Sequence, residues 1–170
     1  MIYVIGLLAV LLGVALDQYT KYLAITYLPG NPITIVEGVF QLRYLENRGA
    51  AFGLMQNQQG FFLVVGIVAL LFITYLYIRM PQTKRFCLLR VCMISITTGA
   101  IGNMIDRVRL QYVIDFLYFE LIDFPIFNVA DIFATVATFG LVILLLFYYK
   151  EEDIDMLFQL LTPNRKKIHK

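Results

Sequence analysis

The sequence predicts an all-α integral membrane protein, a bundle of four transmembrane helices, and three observations carry that prediction. Sixty per cent of the 170 residues are hydrophobic and only 15% are charged, against roughly 45–50% and 25% in an ordinary globular chain. Four long apolar stretches recur, with no Pro/Gly/Ser-rich linker dividing them. A water-soluble fold of this length cannot bury so much apolar surface and still cover itself with polar groups.

The first stretch is uninterrupted from Ile2 to Leu16 and continues past Asp17 to about Leu28. The second, Phe61 to Ile78, carries no charge; the third, Phe86 to Ile105, is broken by Arg90 and Asn103; the fourth, Phe127 to Tyr149, by Asn128 and Asp131. Each approaches the ~20 residues that cross ~30 Å of hydrocarbon as a helix. Spans are therefore expected at about 2–28, 60–78, 86–105 and 127–149, in one domain covering 1–150, with 151–170 as a cytoplasmic tail. A cleaved signal peptide is disfavoured for residues 2–16: no Lys or Arg precedes that run and no small-residue cleavage pattern follows it. Cys87 and Cys92, five apart in apolar surroundings, read as packing residues rather than a metal or redox pair.

Basic residues set the expected orientation. Arg79, Lys84, Arg85 and Arg90 surround the second connection, and Lys150, Arg165, Lys166, Lys167 and Lys170 lie in the tail. An N-in, C-in topology puts these nine on the cytoplasmic side. The acids Asp17, Glu37, Glu46, Asp106, Asp115, Glu120, Asp123 and Asp131 then all gather at the outer side. The first outer connection, about 29–59, has partial alternation over Val39–Leu45, which predicts a small β-containing cradle on the membrane surface. The small residues Gly49 to Gly53 permit close backbone approach. Ile154 to Leu161 reads either as an interfacial amphipathic helix or as a frayed tail.

The formal net charge of +2 leaves no basic patch of the size nucleic-acid binding needs. The single histidine is His169 and the single serine is Ser95, which removes Ser-His and Cys-His nucleophiles and His-ligated zinc hydrolysis. Any catalysis falls to carboxylates, which are costly at membrane depth and so mark a site. Asn103/Asp106 and Asn128/Asp131 are i,i+3 pairs, so each amide shares a helix face with its carboxylate. Asp115, between Ile114 and Phe116, is expected to turn inward and converge with Asp131. Two such carboxylates would share a proton, one acting as base on a water and the other as acid. Pairing of intramembrane acids with Arg or Asn is the structural alternative. Asp17 and Lys21, an i,i+4 pair, read as an ion pair or as a lysine snorkelling to the interface. Arg107 either neutralises Asp106 or holds a lipid phosphate. Asn47 and Arg48 are either loop polars or substrate contacts.

Five segments occur in order: Asp17-Gln18-Tyr19-Thr20-Lys21, Asn47-Arg48-Gly49-Ala50-Ala51-Phe52-Gly53, Gly99-Ala100-Ile101-Gly102-Asn103-Met104-Ile105-Asp106-Arg107, Val113-Ile114-Asp115-Phe116 and Phe124-Pro125-Ile126-Phe127-Asn128-Val129-Ala130-Asp131. Over about residues 10–145 the chain resembles the lipoprotein signal peptidases, or signal peptidase II. The resemblance implies a metal-free, cofactor-free intramembrane aspartyl endopeptidase of the bacterial cytoplasmic membrane, acting as a monomer. Such enzymes remove the signal peptide from prolipoproteins, cutting before a cysteine that carries a diacylglyceryl group. By motif position it makes Asp115 and Asp131 catalytic. Asn103, Asp106, Arg107, Asn128 and Ala130 would support the site, Asp17, Lys21, Asn47 and Gly49 would shape the substrate cleft and the extracytoplasmic cradle, and Arg48 or Arg107 would engage a lipid phosphate. Asp106 is a third acid nearby; Asp115 is preferred because Arg107 stands beside Asp106 as a charge partner. The chain departs from the family pattern at Thr98, where glycine is common, and at Ile132, where serine is usual. A proton-coupled carrier, a magnesium-dependent phosphotransferase and a non-enzymatic assembly partner are the rival readings, the last leaving the polar outer cluster unexplained.

Overall fold

The computed structural model describes residues 1–49 and 57–161. The run from Ala50 to Gly53 and the tail residues Arg165, Lys166, Lys167, His169 and Lys170 lie outside the described residues. The chain order is α1 (Ile2–Tyr27), β1 (Ile33–Val36), β2 (Phe40–Asn47), α2 (Gln59–Arg79), α3 (Cys87–Leu110), β3 (Val113–Phe119), α4 (Val129–Ile143) and α5 (Glu151–Leu161). Short 3₁₀ turns precede α3 and follow β3, and a π turn, Leu144–Tyr148, prolongs α4.

Four helices are long and apolar enough to cross a membrane. The 21 residues of α2 span about 31 Å at ~1.5 Å per residue, matching the hydrocarbon thickness. The helix α1 is five residues longer and ends where Pro29 cannot continue it and Gly30 turns at φ 73°. Hydropathy alone ends the third span at residue 105, yet α3 runs on to Leu110. Asp106 sits inside the helix because its charge is met within the bundle, and the helix stops only where Gln111 takes a left-handed φ of 66°. The start of α4 is a capping box: Asn128 Oδ1 accepts the Asp131 N–H (2.9 Å) and Asp131 Oδ2 accepts the Asn128 N–H (3.1 Å).

The helix α3 is central and touches α1, α2 and α4. It meets α4 through small residues: a Cβ on Gly99 would collide with the Ala130 carbonyl oxygen and stand 3.0 Å from Ala134 Cβ. Thr98 is buried there, its hydroxyl on the Ile94 carbonyl (2.9 Å) and its methyl against Gly13. Apolar clusters occupy the two ends of the bundle. Met80, Phe86, Leu89, Met93 and Leu144 fill the far end, and Ala24, Leu28, Ile114 and Phe116 fill the sheet end. Between them lies a layer of buried polar side chains. At the far end Arg90, 2% exposed, donates to the Tyr77, Met80 and Pro81 carbonyls and so caps α2. The segment after α4 is a helix rather than a frayed tail, and its apolar side packs on the bundle: Ile154, Leu157 and Leu160 lie on the far-end cluster, Leu161 is exposed, and Arg85 pairs with Asp153 at 2.7 Å.

One feature of the predicted fold class is corrected. The cradle is not confined to the first long connection, because β3, from the third connection, completes an antiparallel sheet of order β1-β2-β3. Asp115 therefore rides on a strand. Pairing runs Leu42↔Leu117, then Leu45↔Asp115 and Asn47↔Val113, so β2 carries one extra residue between Leu42 and Leu45. That bulge decides which side chain meets Asp115. Without it Glu46, not Asn47, would stand opposite Val113 and set a like charge beside Asp115.

Gly99→Val tests the helix contact. It should destabilise the detergent-solubilised protein by about 1–3 kcal/mol, the range for overpacking, whereas Gly60→Ala, in α2 with nothing near its Cβ position, should not lower the unfolding temperature.

Candidate functional site: two tiers of carboxylates

The polar layer has two tiers. In the first, Lys21, 1% exposed, places Nζ 2.9 Å from Asp17 Oδ2, 2.8 Å from Asp106 Oδ2 and 2.9 Å from Asn103 Oδ1. All three ammonium hydrogens have acceptors. Each carboxylate of this tier also holds a backbone amide. Asp17 Oδ1 accepts the Ala130 N–H (2.8 Å), and Asp106 Oδ2 accepts the Ile114 N–H (3.2 Å). Those are the residues immediately before Asp131 and Asp115.

The second tier is the Asp115/Asp131 pair. Asp115 Oδ1 accepts from Asn128 Nδ2 (2.7 Å) and its Oδ2 from Asn47 Nδ2 (2.8 Å). Asp131 Oδ1 accepts from Asn103 Nδ2 (2.7 Å), and its Oδ2 takes the Asn128 N–H. Asn128, fully buried, thus holds both acids, one by its side chain and one by its backbone. Its Nδ2 is also within reach of Asn103 Oδ1 (3.0 Å) and the Ile114 carbonyl (3.2 Å). The residues just before it lie along β3, Phe127 exchanging hydrogen bonds with Leu117, so strand and helix are stitched together at this point.

Both acids line a cavity of about 810 Å³. Ile132, Thr135 and Val136 of α4 form one wall, and Val136 is 67% exposed, so that wall gives onto the surface a bilayer would cover. Asn47, Gly49, Arg48 and Arg43 line the side toward the sheet, and Arg107 lines it from α3. Burial, and then the nearby Asp131 charge, push the Asp115 carboxyl up to about 7, against the opposing pull of Asn47, Asn128 and Lys21.

Eleven of the twelve residues singled out from sequence join one hydrogen-bonded network: Asp17, Lys21, Asn47, Gly49, Asn103, Asp106, Arg107, Asp115, Asn128, Ala130 and Asp131. Gly49 joins it through its N–H, on Asn47 Oδ1 at 3.0 Å. Two expectations change. Lys21 is an ion pair but does not snorkel, because two carboxylates and an amide hold it inside. Arg107 is not the charge partner of Asp106; Lys21 is. Neighbours i,i+1 on a helix point to different faces, and the Arg107 guanidinium lies 4.9 Å over the Phe62 ring and donates to the Asn103 carbonyl at 3.3 Å. Arg48 turns to Glu46 (3.0 Å) and the Tyr112 ring. Sequence reading gave no role to Gln18, whose Nε2 reaches Asp106 Oδ1, Asp17 Oδ2 and the Gly102 carbonyl. Its signal was a second polar residue beside Asp17 inside an apolar run. Among the described residues, no three His, Cys, Asp or Glu side chains form a metal-binding group.

Residues 9–147 match the family model described as signal peptidase (SPase) II. The chain belongs to the signal peptidase II family. Among curated relatives, the lipoprotein signal peptidase of Clostridium tetani is 40% identical over 154 residues, covering 88% of this chain and 95% of that one. That of Caldanaerobacter subterraneus subsp. tengcongensis is 45% identical over 136 residues, covering 79% and 90%. A bacterial membrane enzyme solved by the in meso method superposes with a TM-score of 0.75 at 28% identity, covering 97% of this chain and 93% of that one. This signal peptidase II is therefore a multi-pass membrane protease. The matched region contains both carboxylate tiers and ends before α5.

Lys21→Met leaves Asp17 and Asp106 buried without a cation and should cost about 3–5 kcal/mol, measured by thermal unfolding in detergent. Lys21→Arg should not restore the loss, since a planar fork cannot replace three donors radiating from one point.

Proposed function

We propose that this signal peptidase II cuts diacylglyceryl-modified prolipoproteins before the lipidated cysteine, with Asp115 and Asp131 as its catalytic pair. One observation carries the reading: a buried carboxylate from a strand and a half-buried one from a helix N-terminus are fixed by a shared asparagine, Asn128, on the wall of a cavity flanked by lipid-facing α4 residues. The names of the curated relatives support the substrate class.

The pair holds one proton between two acids. In this mechanism Asp115, whose carboxyl burial and the neighbouring Asp131 charge raise to about 7, carries the proton, and Asp131 acts as the carboxylate base. Asp131 takes a proton from water as the water oxygen bonds to the scissile carbonyl carbon. Asp115 gives its proton to the carbonyl oxygen, forming a tetrahedral diol. Collapse breaks the C–N bond: Asp131 protonates the departing cysteine nitrogen and Asp115 recovers the hydroxyl proton. The signal peptide leaves with a carboxylate and the cysteine with a free amine. The diacylglyceryl chains, lying in the bilayer beside α4, hold the scissile bond at the depth of the pair, so it arrives oriented. Arg107 is a cation on the cavity wall, with Arg43 and Arg48, available to a lipid phosphate or a substrate carbonyl. The N-in, C-in topology is supported by the nine basic residues at the connections and tail of one side. It sets the site near the extracytoplasmic face of the bacterial cytoplasmic membrane, with 151–170 in the cytoplasm and the chain working as a monomer.

A gel-shift cleavage assay in liposomes, on a diacylglyceryl-modified prolipoprotein with and without EDTA, tests this. Asp115→Asn and Asp131→Asn should each lose about 10²–10⁴-fold or more in turnover, with wild type indifferent to EDTA. Full cleavage by Asp115→Asn, with Asp106→Asn dead, would move the pair to Asp106 and Asp131. The acid role of Asp115 also fixes a pH dependence. Its carboxyl is raised above the usual carboxylate range, so the active protonated form is present below about 7 and activity falls as pH rises through that value. Asn47→Leu removes a donor that favours the ionised form, so the alkaline limb of kcat/KM should move up by about one pH unit, the worth of one charge-assisted hydrogen bond.

A further inference from the structure

The first tier contains a charge imbalance. Asp17 and Asp106 are 0% and 2% exposed, and among the described residues Lys21 is the single cation paired with them. The second donor that bridges them is neutral: Gln18 Nε2 lies 2.9 Å from Asp106 Oδ1 and 3.2 Å from Asp17 Oδ2. Its third acceptor, the Gly102 carbonyl at 3.2 Å, belongs to α3 at a close contact with α1; a Cβ on Gly102 would stand 2.6 Å from Asp17 Oδ2. No larger residue than glycine fits, so the amide is clamped between the helices.

We propose that Gln18 is a positioning residue for peptide cleavage, acting through Asp106 and Asp17. Each of those carboxylates holds the amide that precedes one member of the Asp115/Asp131 pair. A carboxylate that turns away from its amide releases the backbone beside an acid whose placement must hold to a fraction of an ångström. Lys21 binds Oδ2 of both carboxylates. Gln18 is the side-chain donor on Asp106 Oδ1, and so fixes the rotation of that carboxylate about its Cγ and with it the oxygen presented to Ile114. The inference rests on the assignment of Asp115 and Asp131 as the catalytic pair.

The test compares wild type, Gln18→Met, Gln18→Glu and Asp115→Asn in liposomes, each quantified for folded protein by thermal unfolding. Gln18→Met keeps the length of the side chain and removes the donor. It should lower kcat roughly tenfold to a hundredfold with KM unchanged, since Gln18 is not among the residues lining the cavity. Gln18→Glu supplies an O–H donor only while protonated. The charged groups it meets are Asp17, Lys21 and Asp106, so its kcat relative to wild type should be near unity at low pH and fall as pH rises, while that of Gln18→Met stays flat. A side chain that only fills space would leave Gln18→Glu active at every pH. Wild-type kcat in Gln18→Met, a change confined to KM, or a Gln18→Glu ratio independent of pH would each overturn the proposal. If Asp115→Asn cleaves normally, the pair assignment itself is wrong; if it is dead while Gln18→Met is fully active, only the role of Gln18 fails.

Discussion

One ammonium group between two buried carboxylates governs how this bundle is put together. Lys21 of α1 reaches Asp106 of α3 as closely as it reaches Asp17 on its own helix. Through those acids it is one bond from the start of α4, at the Ala130 amide, and one bond from β3, at the Ile114 amide. In hydrocarbon an unpaired charge has no solvent to return to. Each partner therefore pins the others, and the relative positions of three helices and a strand follow. Buried ion networks are seldom worth more than well-packed apolar residues in free energy. What this one provides is register, because a slip of α1 against α3 by one residue would strand all three charges.

The sheet solves a different problem. Asp115 lies outside the helices, and a loop would leave it mobile. Pairing with β2 converts the third connection into a strand, and the extra residue of β2 between Leu42 and Leu45 turns Asn47, rather than Glu46, toward the acid. An amide donor in place of a carboxylate at that spot separates a carboxyl that can still ionise near neutral pH from one locked in its acid form. Asn47 is itself held by the Gly49 N–H on its Oδ1, so the small residue after Arg48 serves the site through hydrogen bonding.

How much of this was legible in the sequence divides along the range of the interactions. The four spans were readable because hydropathy is local and each helix satisfies its own backbone. The gathering of acids was readable because their cost in a membrane makes every one informative. The strand β3 was not, since its pairing with β2 joins residues some seventy positions apart and an apolar strand looks like the end of a helix. The partner of Asp106 was misassigned for the same reason: Arg107 is adjacent in the chain, whereas Lys21 is adjacent in space. Gln18 was passed over because a lone glutamine carries no charge to announce it, and only the approach of Gly102 shows why an amide is held there.

The two tiers also differ in what they ask of protonation. The first is built to hold fixed charge: every ammonium hydrogen of Lys21 is used, and each carboxylate faces at least one backbone N–H. In the second, the hydrogen-bond donors to the acids are all neutral among the described residues, the Asn47, Asn103 and Asn128 amides and the Asn128 N–H. Neutral donors stabilise a carboxylate without matching its charge, so two such acids near one another cannot both ionise cheaply. Placing the cation one layer back keeps α1, α3 and α4 in register and leaves the cavity wall with a pair whose protonation can change. A lysine set directly between Asp115 and Asp131 would have stabilised the bundle as well, but it would have fixed both acids as carboxylates and removed the one proton that acid–base chemistry on a peptide bond requires.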